Sequence, residues 1–148
     1  MKTTWIGDVQ SGHYDNQEVE LKGWIKRSRG SNKIRFIVLR DSTGIIQCVA
    51  KRDVLGDDSF EQIKSALIES SVVLKGTVNV DERSEGGHEL VVSSAEIVGP
   101  VNPETPFPIT ESAMAAADGG ETEFLLDNRH LYLRTSRMTT MLKIRSSV

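Results

Sequence analysis

Two neighbouring β-rich runs hold the residues of this chain best suited to recognition chemistry. Residues 33–40 (KIRFIVLR) contain one aromatic ring, Phe36, and residues 44–52 (GIIQCVAKR) contain one carboxamide, Gln47. An aromatic face can stack on a flat ring, and a carboxamide presents a donor and an acceptor side by side. Gln47 stands in an otherwise apolar stretch, residues 45–50, where a buried amide has to find hydrogen-bond partners. Phe36 shares strand parity with Ile34 and Val38, while Ile37 and Leu39 occupy the other parity, so either face can be the core.

Charge is segregated around these runs. Residues 21–40 hold seven cations, Lys22, Lys26, Arg27, Arg29, Lys33, Arg35 and Arg40, and no acid. Residues 101–128 invert the balance, with Glu104, Glu111, Asp118, Glu121, Glu123 and Asp127 and no Lys or Arg. The net charge of −3 argues against an indiscriminate nucleic-acid binder, whose domain would be basic. A local positive field on an acidic molecule instead attracts phosphates at one face; the alternative is an edge strand guarded by Lys and Arg.

Motifs for catalysis do not occur. The 148 residues contain no P-loop, HExxH, nucleophile elbow or cysteine–histidine metal spacing, so neither a catalytic nor a metal-binding residue is assigned. Asp57 and Asp58 sit at a helix start, where the helix dipole accounts for them. Cys48 is the sole cysteine and no charged-then-apolar leader precedes the domain, a pattern expected of a reducing cytoplasm. Trp5 and Trp24 are expected to pack, and His13, His88 and His130 to be surface or capping residues.

The elements that must position these side chains follow from periodicity. Residues 18–28 alternate, with Val19, Leu21, Gly23 and Ile25 on one parity, and read as a strand ending at the turn Gly30, Ser31 and Asn32. Residues 33–40 and 44–52 form a hairpin over 41–44. Residues 57–69 place Phe60, Ile63, Leu67 and Ile68 at helical spacing. Strands follow at 71–81 and 88–98, joined by a polar loop containing Gly86 and Gly87. Three strands, one helix and two strands is the element order of a mainly β, five-stranded OB-fold barrel, with the helix between strands 3 and 4.

Pro100, Pro103, Pro106 and Pro108 then end regular structure. The expected division is a barrel over 1–99, a linker over 100–123 with a short helix in 110–122, and a further segment over 124–148. In that last segment Met138, Met141, Leu142 and Arg145 fall at i, i+3, i+4 and i+7 of an amphipathic helix. Neither a glycine cap nor a proline stop follows it before Val148, so the chain is expected to be the front of a longer protein.

The stretch FLLDNRHLYLR followed by RMTTMLKIRSSV resembles the entry into the first conserved motif of class IIb aminoacyl-tRNA synthetases, in the archaeal-type asparaginyl form. The resemblance implies an N-terminal anticodon-binding OB barrel, a hinge, and the start of a motif 1 helix that builds a homodimer interface. It implies that Phe36 in KIRFIVLRD stacks on an anticodon base and that Gln47 in GIIQCVAK reads the central uridine. It further implies that Glu89 in GGHELVV assists, and that Arg27 and Arg29 in GWIKRSR lie in the basic contact region. The partner is then tRNA. ATP and Mg2+ belong to the parent ligase, whose motifs 2 and 3 would lie beyond Val148, so this chain is expected to bind no cofactor and to catalyse nothing alone. Uracil shows a carbonyl beside a ring N–H, which a glutamine amide complements; turned over, the same amide complements cytosine. Three alternatives stay open: the same region of an aspartate–tRNA ligase, a free-standing OB module for single strands, and a protein-interaction module.

Overall fold

The computed structural model describes residues 2–109 and 122–148. A two-residue strand, β1 (Lys2–Thr3), and a short helix, α1 (Ile6–Gln10), come before the long strands. Those strands are β2 (Glu18–Gly30), β3 (Ile34–Arg40), β4 (Ile45–Lys51), β5 (Ser71–Val80) and β6 (His88–Gly99). Helices α2 (Arg52–Leu55) and α3 (Asp57–Ser65) lie between β4 and β5, the third and fourth long strands.

The strand order is β1-β2-β3-β4-β6-β5, and β2 also pairs with β5, which closes the barrel. Pairing is antiparallel except for β1 with β2 and β4 with β6. β2 is long enough to serve two partners: residues 18–24 pair with β5 and residues 24–30 with β3. The period-two apolar positions turn inward. Leu21, Ile25, Ile37, Leu39, Ile46, Leu74 and Leu90 are all fully buried. Ile6 and Val9 from α1 and Ile63 from α3 join the same core. This is the mainly β, five-stranded OB barrel with its helix where the element order put it.

Several details depart from the periodic reading. The helix expected over 57–69 ends at Ser65, because Ala66 takes an extended backbone (φ −63°, ψ 127°) and Glu69 has φ +70°. Helix α1 was not foreseen, since five residues carry too little pattern. It is held by the β3–β4 turn: the Ile6 N–H donates to Asp41 Oδ2 at 2.8 Å and the Gly7 N–H to Thr43 Oγ1 at 2.8 Å. Asp41 Oδ1 closes the same turn by accepting from the Thr43 and Gly44 N–H groups at 2.7 and 2.9 Å. Trp5 and Trp24, expected to pack, are 55% and 41% exposed. Trp24 lies outward with the Arg40 guanidinium 5.9 Å from its ring. His88 is buried rather than at the surface.

The chain divides into two compact units, Met1–Pro106 and Phe107–Val148. The second contains α4 (Thr122–Asp127), α5 (Arg129–Tyr132) and α6 (Ser136–Ser146). Thr135 caps α6, its Oγ1 accepting from the Met138 N–H at 3.4 Å. Met141, Leu142 and Ile144 on α6 are exposed. Of the short helix expected over 110–122, residues 110–121 lie outside the described residues, and Thr122 opens α4.

Candidate nucleic-acid interface

A β-bulge in β2 orients the basic residues. Before it, odd-numbered Val19, Leu21 and Ile25 are buried and even-numbered Lys22 and Trp24 are exposed. The β2–β3 register then slips between Ile25 and Arg27, which pair with the consecutive residues Leu39 and Val38. One extra residue reverses the parity of everything after it. Ser28 now pairs with buried Ile37, while Arg27 pairs with Val38 and Arg29 with Phe36 on the outer face. Without the bulge, the two arginines would aim at the core.

On β3, Ile37 and Leu39 are fully buried, so Ile34, Phe36 and Val38 take the outer face and are half-buried. On β4, Ile46, Cys48 and Ala50 are fully buried, and Gln47 between them faces out, half-buried. Burial also pushes the Cys48 thiol far above its ordinary range, which makes it a packing residue and not a nucleophile.

Register gathers these positions into two adjacent cross-strand rows. One contains Arg27, Val38, Gln47 and Glu89 in sequence across β2, β3, β4 and β6. The next contains Arg29, Phe36, Val49 and Val91. All five residues singled out from the sequence, Phe36, Gln47, Glu89, Arg27 and Arg29, therefore share one continuous outer surface. Arg29 lies with its guanidinium 6.0 Å from the Phe36 ring centroid, at the outer limit of cation–π attraction.

The β5–β6 loop borders this surface, and sequence reasoning did not include it. A cleft of about 190 Å³ is lined by Arg27, Arg29, Val38 and Gln47 on the sheet side and by Arg83, Ser84 and Glu85 on the loop side. Gln47 Nε2 donates to Ser84 Oγ at 3.5 Å, long enough for an incoming base to replace that bond. Arg83 hydrogen-bonds Asp81 (Nε to Oδ1, 3.1 Å) and holds that carboxyl below its usual range. At the loop's base, His88 meets Asp15 Oδ1 through Nε2 at 3.0 Å and the Gly86 carbonyl through Nδ1 at 3.0 Å. Gly86 and Gly87 have φ of +83° and +74°, a backbone that favours glycine. The paired glycines were the one sequence signal that this loop has a defined shape.

Taken together, the surface offers a ring for stacking, an amide for reading a base edge, a carboxylate beside it and cations for phosphates. That is the equipment of a single-strand binder.

Comparison with known proteins agrees with the architecture. The OB-fold nucleic acid binding domain family matches residues 19–98. The asparagine–tRNA ligase of Thermoplasma acidophilum is 43% identical over 143 residues, which is 97% of this chain and 31% of that protein. The asparagine–tRNA ligase of Pyrococcus horikoshii is 37% identical over 134 residues, 90% of this chain and 29% of that protein. The crystal structure of asparaginyl-tRNA synthetase from Pyrococcus horikoshii superposes with a TM-score of 0.81 at 34% identity, covering 97% of this chain and 32% of that one. An OBody bound to hen egg-white lysozyme shares the fold alone, with a TM-score of 0.58 at 22% identity over 68% of this chain and 96% of that one. The chain thus spans about a third of the length of the ligases it matches. It belongs to the OB-fold nucleic acid binding domain family, in the anticodon-binding form that asparagine–tRNA ligases carry in their N-terminal part.

Proposed function

We propose that the chain recognises the anticodon loop of tRNA(Asn) as the N-terminal part of an asparagine–tRNA ligase. The observation that carries this reading is the placement of Gln47 between Val38 and Glu89 in one cross-strand row, one row away from Phe36. Phe36 stacks on a splayed base, a contact worth about 1–3 kcal/mol for any base. Arg27 and Arg29 neutralise phosphates. Gln47 reads the central uridine, its NH2 donating to the uracil carbonyl and its oxygen accepting from the ring N–H.

Glu89 gives the amide its sense. An ionised carboxylate only accepts, so it favours the rotamer that turns the Gln47 NH2 toward it. Turning the amide over to serve cytosine would aim its oxygen at that carboxylate. The arrangement therefore discriminates uridine from cytidine by roughly 1–3 kcal/mol, as a well-held bidentate pair does.

In the parent enzyme, asparagine, ATP and tRNA(Asn) give asparaginyl-tRNA, AMP and diphosphate, with Mg2+. That chemistry belongs to a catalytic domain of which this chain holds only the start, and the chain alone binds without catalysing. Residues 1–99 act as the anticodon-binding domain, residues 100–123 as a hinge, and residues 124–148 as the start of the catalytic domain, with α6 in the homodimer contact of a cytoplasmic enzyme. Fluorescence anisotropy with anticodon stem-loops tests the reading. The chain should bind the loop with central uridine at least about fivefold tighter than the one with cytidine, and Gln47→Ala should remove the preference. Equal affinity of the unaltered chain for both loops would overturn it.

A further inference from the structure

Beyond Phe36 the same outer face continues. Two residues along β3 from Phe36 stands Ile34, and its cross-strand partner is Lys51, two residues along β4 from Val49. A cleft of about 530 Å³ opens there, lined by Lys33, Ile34, Lys51, Arg52 and Asp53. Its cations differ in kind. Arg52 is fully engaged: Nε donates to the Asn32 carbonyl at 2.7 Å, Nη1 to Asp57 Oδ1 at 2.9 Å and Nη2 to Glu61. Its guanidinium also sits 4.7 Å from the centroid of the Phe60 ring. Arg52 is thus a wall of the cleft. Lys33 and Lys51 are exposed and flank Ile34, and Asp53 is the acid among the lining residues. The Arg52 N–H donates to the Lys33 carbonyl at 2.9 Å and so ties together the two strand ends that carry the lysines.

We propose that this cleft holds the sugar–phosphate backbone next to the anticodon. Lys33 and Lys51 each neutralise one phosphate of the strand that has crossed Phe36, and Ile34 forms an apolar floor beneath the intervening sugar. The inference rests on the reading that the outer face binds a tRNA anticodon loop. Two residues of strand span about 6.6 Å, a distance one unstacked nucleotide can follow from the Phe36 row to the Ile34 row. The contacts go to phosphates, so they add affinity and register without choosing a base.

The test uses the full chain, its Lys33→Ala/Lys51→Ala double variant, and a Lys33→Arg/Lys51→Arg variant that keeps both charges. Each is titrated with the anticodon stem-loop over a range of salt. Losing two phosphate contacts, at roughly 0.7 each for a single strand, should lower the slope of log K against log salt by about 1.4. The alanine variant should then match the unaltered chain near 1 M salt and bind about 25-fold more weakly near 0.1 M. The arginine variant should behave as the unaltered chain, and the preference for uridine should persist in all three. Two shortened oligonucleotides, each lacking the nucleotides on one side of the anticodon, locate the contact. One of them should be bound equally well by the alanine variant and the unaltered chain. An unchanged slope and affinity in the alanine variant, with Phe36→Ala still weakening binding, would overturn this inference and leave the proposed function standing. Absence of any uridine preference in the unaltered chain would remove the proposed function, and this inference with it.

Discussion

Truncating Phe36 and Leu39, three residues apart on β3, should separate binding from stability. Leu39 is fully buried and pairs with Ile25 on one side and Ile46 on the other. Leu39→Ala removes core atoms that the closed barrel cannot fully collapse around, at a cost of about 2–5 kcal/mol. Phe36 is half-buried on the opposite face, so its ring keeps only part of the roughly 1.5–3 kcal/mol that full burial gives. Phe36→Ala should therefore destabilise by only about 1 kcal/mol. Its effect on binding is larger: a lost stack of about 1–3 kcal/mol is a roughly 5- to 150-fold rise in Kd for the anticodon stem-loop. Urea unfolding followed by far-ultraviolet circular dichroism gives the first quantity, and anisotropy titration of the folded protein gives the second. Leu39→Ala, measured below its unfolding midpoint, should bind RNA nearly as the unaltered chain does. The reasoning fails if Phe36→Ala destabilises as much as Leu39→Ala while its folded form binds RNA unchanged.

Two further variants probe the frame that holds the face. A Cβ on Gly76 would lie 2.1 Å from the Val91 carbonyl oxygen, so Gly76→Ala should push β5 and β6 apart and cost at least about 2–3 kcal/mol, read as a lower urea midpoint. His88→Ala removes the ring contacts to Asp15 Oδ1 and to the Gly86 carbonyl at the base of the β5–β6 loop, and should cost about 1–3 kcal/mol and speed amide exchange across residues 81–87.

The strands were legible because their apolar alternation runs over seven or more residues, long enough to outweigh local noise. The direction of Phe36 was not, since β3 is apolar on both parities and only pairing with Arg29 and Val49 separates them. Nor was the bulge, because Lys26, Arg27, Ser28 and Arg29 are all polar and carry no mark of which parity is inside. Trp24, expected to pack, is a different case: its even number already set it opposite Val19, Leu21 and Ile25. Helix α1 and buried His88 depend on partners 35 and 73 residues away, which no local window contains. The loop around Ser84 reached the site because β6 pairs in parallel with β4 and sets Glu89 beside Gln47, a feature of topology and not of composition.

The central claim is that RNA lies on the outer face of β2, β3, β4 and β6. It is tested most directly by titrating the isotopically labelled chain with the anticodon stem-loop and following backbone amide and glutamine side-chain resonances. The largest shifts should fall on Arg27, Arg29, Phe36, Gln47 and Glu89, with the Gln47 side-chain amide moving for the central-uridine loop and much less for its cytidine counterpart. Shifts confined to α1, to the β5 side of the barrel or to α6, with Phe36 and Gln47 silent, would contradict the account.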